Sequence, residues 1–163
     1  MKSQLLFLRS ILLLGIVFFS TNVKSQLHLD EEWVHTSGLP DTVDYSTGKV
    51  DGSGNIYVTT NTISATEKAN ILTTKYNSSG VVQWSVEKDN ADENDYGSAI
   101  DIDGSGNVYV GAATWVNGTN YYDYMVIKYN SSGTQQWAVT YNGPGSFYDI
   151  PTDIFVDGSG NVY

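Results

Sequence analysis

Asp101-Ile102-Asp103-Gly104-Ser105-Gly106-Asn107 sets side-chain oxygens at alternate positions ahead of a glycine. That is the opening of an EF-hand calcium loop, which needs a bidentate glutamate at its twelfth position. Counting from Asp101, the twelfth residue here is Ala112. The stretch DGSGN also occurs at residues 51–55 and 157–161. In those copies the residue matching Asp101 is Lys49 or Phe155. The turn therefore recurs while the extra ligand does not, and the expectation is a structural turn. Residues 89–95 (DNADEND) hold Asp89, Asp92, Glu93 and Asp95. One reading is a cation or sugar site; the simpler one is a solvated loop. Trp84 and Trp137 have the faces to stack on sugars, but their recurrence at a fixed spacing favours packing between repeated units. Tyr121, Tyr122 and Tyr124 form an aromatic cluster. Strand alternation puts Tyr122 and Tyr124 on one face, expected to be core, with Tyr121 off it.

Catalytic chemistry has little material. The two histidines are His28 and His35, both near the start of the chain. No Ser-His-Asp order, HExxH or phosphate-cradling Gly-Lys-Ser is written. Most Asp and Glu fall in turns or loops, so no glycosidic carboxylate pair can be assigned. No catalytic, cofactor-binding or metal-ligating residue is assigned, and no cofactor is expected. Asn77, Asn117 and Asn130 lie in N-x-[ST] sequons, two of them inside a recurring NSSG turn that explains them without glycosylation.

The N-terminal residues read as a targeting segment. Lys2 and Arg9 precede the apolar run ILLLGIVFF at residues 11–19, which is too short for a membrane span of roughly 20 residues. Val23 and Ser25 fit a signal-peptidase site, so residues 1–25 are expected to be a cleaved signal peptide. The implied localisation is secreted or cell-surface, with no membrane insertion after cleavage. Loss of Lys2, Arg9 and Lys24 takes the formal net charge from −10 to −13 and removes the single arginine. Such a chain is poorly suited to phosphate backbones, so nucleic acid is not an expected partner. With no cysteine, stability cannot rest on disulfides.

Two landmark series organise the rest. Asp51, Asp103 and Asp157 are 52 and 54 residues apart. KYNSSG at residues 75–80 returns at 128–133, and Trp84 returns as Trp137, each 53 later. Two different motifs with one period define a repeat of about 50 residues. Each unit reads as four short strands. In the first copy they include 55–60, 69–76 and 81–88; in the second, 99–103, 108–113, 122–129 and 134–141. No segment sustains a 3.6-residue period, so little or no helix is expected after the signal. DGSGN and NSSG are hairpin turns, with left-handed glycines expected at Gly54, Gly106, Gly160, Gly80 and Gly133.

A four-stranded unit of this length is the size of a propeller blade. Its pattern resembles the seven-bladed β-propeller repeat family (SBBP repeat), known from exported bacterial proteins. The matching residues are Asp103, Gly106, Asn107, Tyr109 and Val110, then Lys128, Tyr129, Asn130, Gly133 and Trp137. The first copy matches with Asp51, Gly54, Asn55, Tyr57, Val58, Lys75, Tyr76, Asn77, Gly80 and Trp84. The third matches with Asp157, Gly160, Asn161 and Tyr163. The resemblance implies an all-β partial β-propeller across residues 26–163. It would comprise two complete four-stranded antiparallel blades (about 45–88 and 96–141) and an incomplete third blade (about 149–163). An orphan N-terminal outer strand, about residues 31–37, would carry Trp33. The chain then reads as a fragment whose partners are the remaining blades of a longer chain, or a second copy.

In function, the expectation is an exported binding or scaffold module for an unknown protein or glycan ligand. Variable loops such as 61–68, 89–95, 114–121 and 142–147 should carry recognition. The alternative is part of a propeller enzyme, a lyase or glycan hydrolase, with active residues in absent blades. The resemblance carries over no catalytic residue.

Overall fold

The computed structural model describes residues 47–63, 68–90, 93–116, 121–145 and 147–163. The expected signal peptide at 1–25, the orphan strand at 31–37 with Trp33, and both histidines lie outside the described residues. Eight strands are formed: β1 (Thr47–Val50), β2 (Ile56–Ile63), β3 (Ala69–Tyr76), β4 (Val82–Lys88), β5 (Asp95–Ile102), β6 (Val108–Trp115), β7 (Tyr122–Tyr129) and β8 (Gln135–Tyr141). They make two four-stranded sheets, β1-β2-β3-β4 and β5-β6-β7-β8. Every neighbouring pair is antiparallel. The chain is thus all-β, with no helix among the described residues.

Several strands run further than their sequence suggests. β2 continues past Thr60 through Asn61, Thr62 and Ile63, which pair with Ile71, Asn70 and Ala69. β5 starts at Asp95, four residues before the expected Ala99, and absorbs a bulge where its register shifts between Gly97 and Ala99. β6 reaches Trp115. Polar residues at these ends read as loop, yet threonine is a good strand former and each pairs with a partner already long enough.

The recurring turns fold alike. In each DGSGN the aspartate carbonyl accepts the glycine N–H, closing a turn at 2.9–3.0 Å. One carboxylate oxygen of that aspartate accepts two further backbone N–H groups at 2.9 Å, at Ser53 and Asn55 in the first copy. All five expected glycines have positive φ, from 77° to 83°, a region open to glycine without steric cost.

The main core lies between the sheets. Sheet 1 contributes Tyr57 and Ile71, with Trp84 and Val86 packed beside them. Sheet 2 contributes Ile100, Val108, Val110, Met125, Ile127 and Tyr129. Alternation along β7 selects the last three: Asp123, Met125, Ile127 and Tyr129 are buried, while Tyr122, Tyr124, Val126 and Lys128 are half-buried on the opposite face. At roughly 1.5–3 kcal/mol per fully buried large apolar side chain, this interface is a main source of stability. Polar links cross it too. Gly97 N–H donates to Asn61 Oδ1 at 3.0 Å, and Ala69 N–H to Asn94 Oδ1 at 2.9 Å.

A third repeat begins against the other face of sheet 2. Val156 and Val162 form an antiparallel bridge around the turn at 157–161. Ile154 and Val156 pack with Ala99 and Tyr109 in a second, smaller core that includes Val126 and Val162.

Candidate functional site

Antiparallel order sends the recurring turns to one edge of each sheet and all other connections to the opposite edge. The turn edge is chemically closed. Asp103 Oδ1 accepts the N–H groups of Ser105 and Asn107, both at 2.9 Å. Its Oδ2 accepts Asn107 Nδ2 at 2.7 Å and the Tyr109 hydroxyl at 3.2 Å. Asp51 and Asp157 make the same set. Partial burial pushes the Asp51 and Asp103 carboxyls up, but these hydrogen bonds outweigh it and hold both below the usual carboxylate range. A carboxylate so committed is a turn cap.

Asp101, the residue that made the second copy resemble a calcium loop, points elsewhere. Its Oδ1 lies 3.4 Å from Lys49 Nζ of sheet 1, and its Oδ2 accepts Val156 N–H of the third repeat at 2.8 Å. It ties three successive repeats together. Among the described residues no group of three or more His, Cys, Asp or Glu side chains is gathered as for a metal ion.

The opposite edge is irregular. Asp95 opens β5 and is fully buried, which departs from a wholly solvated 89–95 loop. Its Oδ2 accepts Asn90 N–H at 2.6 Å, while its Oδ1 is buried with no hydrogen-bond partner. Burial pushes its carboxyl up to about 6. Glu93, in the same loop, is paired with Lys68 at 2.8 Å. Asp149 repeats the arrangement of Asp95: its Oδ2 accepts Gly143 N–H at 2.6 Å. Aligning the repeats by tyrosine matches Tyr148 with Tyr96, whereas these hydrogen bonds match Asp149 with Asp95. The signal was present in the sequence, because both aspartates lie eight residues before the turn aspartates Asp103 and Asp157.

Asp149 N–H also donates to Tyr122 O at 2.7 Å. That brings its carboxylate near Asp123, whose carboxyl is raised by burial and then by the Asp149 charge. Around these acids stand aromatic rings. Tyr122 meets Trp115 edge-on at 4.9 Å, Tyr148 in a stack at 5.9 Å, and Tyr96 at 5.8 Å. Tyr121 meets Tyr148 and Phe147 at 5.6 and 6.1 Å. Phe147 and Tyr148 are 69% and 57% exposed. Burial, then the neighbouring Tyr96, holds the Tyr122 phenol up at about 12.

The tyrosine expectation is corrected here. Tyr122 and Tyr124 share a face, but it is the half-buried one, and Tyr121 is half-buried too. The expected core face of β7 is carried by Met125, Ile127 and Tyr129 instead.

The two tryptophans diverge. Trp84 sits between Tyr57 of its own sheet, at 6.5 Å, and Tyr129 of the next, at 6.3 Å. Its indole N–H donates to Ser131 O at 3.1 Å. Trp137 has the first contact, with Tyr109 at 6.2 Å, and remains 37% exposed. Packing between units therefore describes Trp84, while Trp137 is only half enclosed. All five lysines among the described residues are engaged: Lys75 and Lys128 lie over the Tyr57 and Tyr109 rings, Lys49 and Lys68 pair with acids, and Lys88 donates to Asp89 O. A scan of family models and a search of curated proteins both find no match to this chain.

Proposed function

We propose that the chain is an exported β-propeller repeat module of the SBBP type, serving as a binding or scaffold domain. Its two sheets act as successive blades, the 155–163 hairpin starts a third, and a glycan binds at the edge away from the recurring turns. One contrast carries this reading. The turn-edge aspartates spend their oxygens on their own turns, whereas the opposite edge sets the exposed rings of Phe147 and Tyr148 beside the half-buried Asp149. Flat aromatic faces suit the apolar faces of sugar rings, and carboxylates accept their hydroxyl groups. Asp95, although its carboxyl is raised toward neutrality, is fully buried and supports the loop rather than meeting a ligand.

The test is a glycan array probed with the mature chain, then with Tyr148→Ala combined with Phe147→Ala. As a control, Ser53→Ala and Ser159→Ala alter the turn edge. Binding is expected to fall at least tenfold in the first variant and to persist in the control. Equal loss in both, or no glycan retained, contradicts the assignment.

A further inference from the structure

The filled interface between the sheets can be laid residue by residue onto the open face of sheet 2. In the filled interface, Tyr57 and Trp84 of sheet 1 meet Ile100, Ile102 and Val108 from β5–β6 and Met125, Ile127 and Tyr129 from β7. One repeat later, Tyr109 and Trp137 present the same pair of rings, 6.2 Å apart at an interplanar angle of 62°, against 6.5 Å and 62° before. Ile154, Val156 and Val162 then stand where Ile100, Ile102 and Val108 stood. Among the described residues nothing stands where Met125, Ile127 and Tyr129 stood. In their place is a groove of about 630 Å³, lined by Tyr124, Val126, Trp137 and Val139 on one wall and Ile154 and Val162 on the other. Val139 is 59% exposed, while its counterpart Val86 is packed against the core. Tyr163 is 73% exposed, although Tyr57 and Tyr109 at the same repeat position are fully buried.

The filled interface also defines the shape that would fit this groove. A Cβ placed on Gly133 would lie 2.8 Å from the Trp84 ring, so the NSSG turn rides directly on the indole. Ser131, in that same turn, accepts the Trp84 N–H. A partner for Trp137 thus needs a tyrosine, a carbonyl and a bare glycine at the spacing of Lys-Tyr-Asn-Ser-Ser-Gly. A whole sheet from a second copy does not fit, because the 153–163 segment already holds the position its first two strands would take.

We propose that the groove of sheet 2 docks an antiparallel hairpin of the β7–β8 type, whose Tyr and Gly close over Trp137 as Tyr129 and Gly133 close over Trp84. The hairpin completes a third sheet by pairing with the edge at residues 161–163. The surface is independent of the loop edge and stands whether or not that edge binds a glycan.

A synthetic peptide of residues 121–141, labelled with fluorescein, tests this in trans against the mature chain by anisotropy. Saturable binding is expected, at least tenfold weaker with peptide carrying Tyr129→Ala and Gly133→Ala, and at least tenfold weaker to protein carrying Trp137→Ala. A scrambled peptide that binds equally well, or binding indifferent to Trp137→Ala, overturns the proposal. So does a concentration-dependent dimer that the peptide fails to compete. A second measurement avoids the solubility of the peptide: residues 110–141 are appended after Tyr163, in repeat register. The extended chain is expected to melt several degrees higher than the parent, and the same extension carrying Tyr129→Ala and Gly133→Ala is not. Equal melting of the two extended chains overturns the proposal as well.

Discussion

Trp84 and Trp137 occupy the same place in two copies of one sequence, and their surroundings differ. Each leans edge-on against a tyrosine whose hydroxyl is held by the turn aspartate of its own hairpin. Only Trp84 has Tyr129 and Gly133 of a following sheet closed over it. The comparison separates what a repeat does for itself from what its neighbour does for it. The turn, the Asp–Tyr bond, the lysine over the tyrosine and the edge contact to tryptophan are complete within one unit. The cover over the indole is not. This is the logic of stacked repeats, in which a unit cannot cover its own apolar face.

The largest expected effect comes from breaking that closure. Trp84→Ala should cost about 3 kcal/mol, the low end of the range for deleting a buried aromatic side chain, because the indole is partly buried. Trp137→Ala should cost about 1 kcal/mol, mainly the lost contact with Tyr109. Urea melts of both variants measure the gap, and equal costs would erase the distinction between the two faces.

A glycine pair sharpens the comparison further. Gly133 and Gly160 have nearly the same φ, 82° and 83°, but nothing lies within 4 Å of a Cβ added at Gly160. Gly160→Ala should cost about 1–2 kcal/mol, the left-handed strain alone. Gly133→Ala carries that strain plus about 1–3 kcal/mol of overpacking against Trp84. The difference between the two melts isolates the contact with the indole.

The smallest effects separate the two edges of the sheets by pH. Asp95 has a folded-state carboxyl raised to about 6 from 3.8. The folded state therefore holds its proton more tightly than the unfolded chain does. Its favourable contribution is present at low pH and is lost as pH rises between about 4 and 6. Asp95→Asn keeps an acceptor for the Asn90 N–H without the charge. It should stabilise the protein at pH 7.5 by on the order of 1 kcal/mol and flatten the profile across that window. Asp103 has the opposite sign. Its carboxyl is lowered, so its contribution is present above the unfolded value near 3.8 and is lost as pH falls through the folded value. Thermal melts from pH 3 to 8 distinguish the two. A destabilised Asp95→Asn at pH 7.5 would mean that the buried carboxylate is compensated.

Much of this was legible in the sequence, because the repeat repeats its physics. The strand cores, both turn types, the five left-handed glycines and the packing of Trp84 follow from spacing alone. Apart from the Trp84 contact, which its recurrence announces, features that depend on a neighbouring unit were not legible. Asp101 reads as a spare oxygen until Lys49 and Val156 are seen on either side of it. Tyr124 reads as core because an alternating strand with aromatic residues gives no sign of which face is covered. Asp95 reads as solvated because its burial depends on a bulged β5 starting four residues early, among polar residues that carry no strand signal.

The central claim is that each unit's indole is closed by the glycine turn of the next, and the ring current of Trp84 tests it most directly. The Gly133 Hα directed at the indole should be shifted upfield in the proton spectrum, and the shift should vanish in Trp84→Leu, while Gly160 keeps ordinary Hα shifts in both. Indistinguishable Gly133 and Gly160 signals, unmoved by Trp84→Leu, would contradict the stacking of one unit on the next.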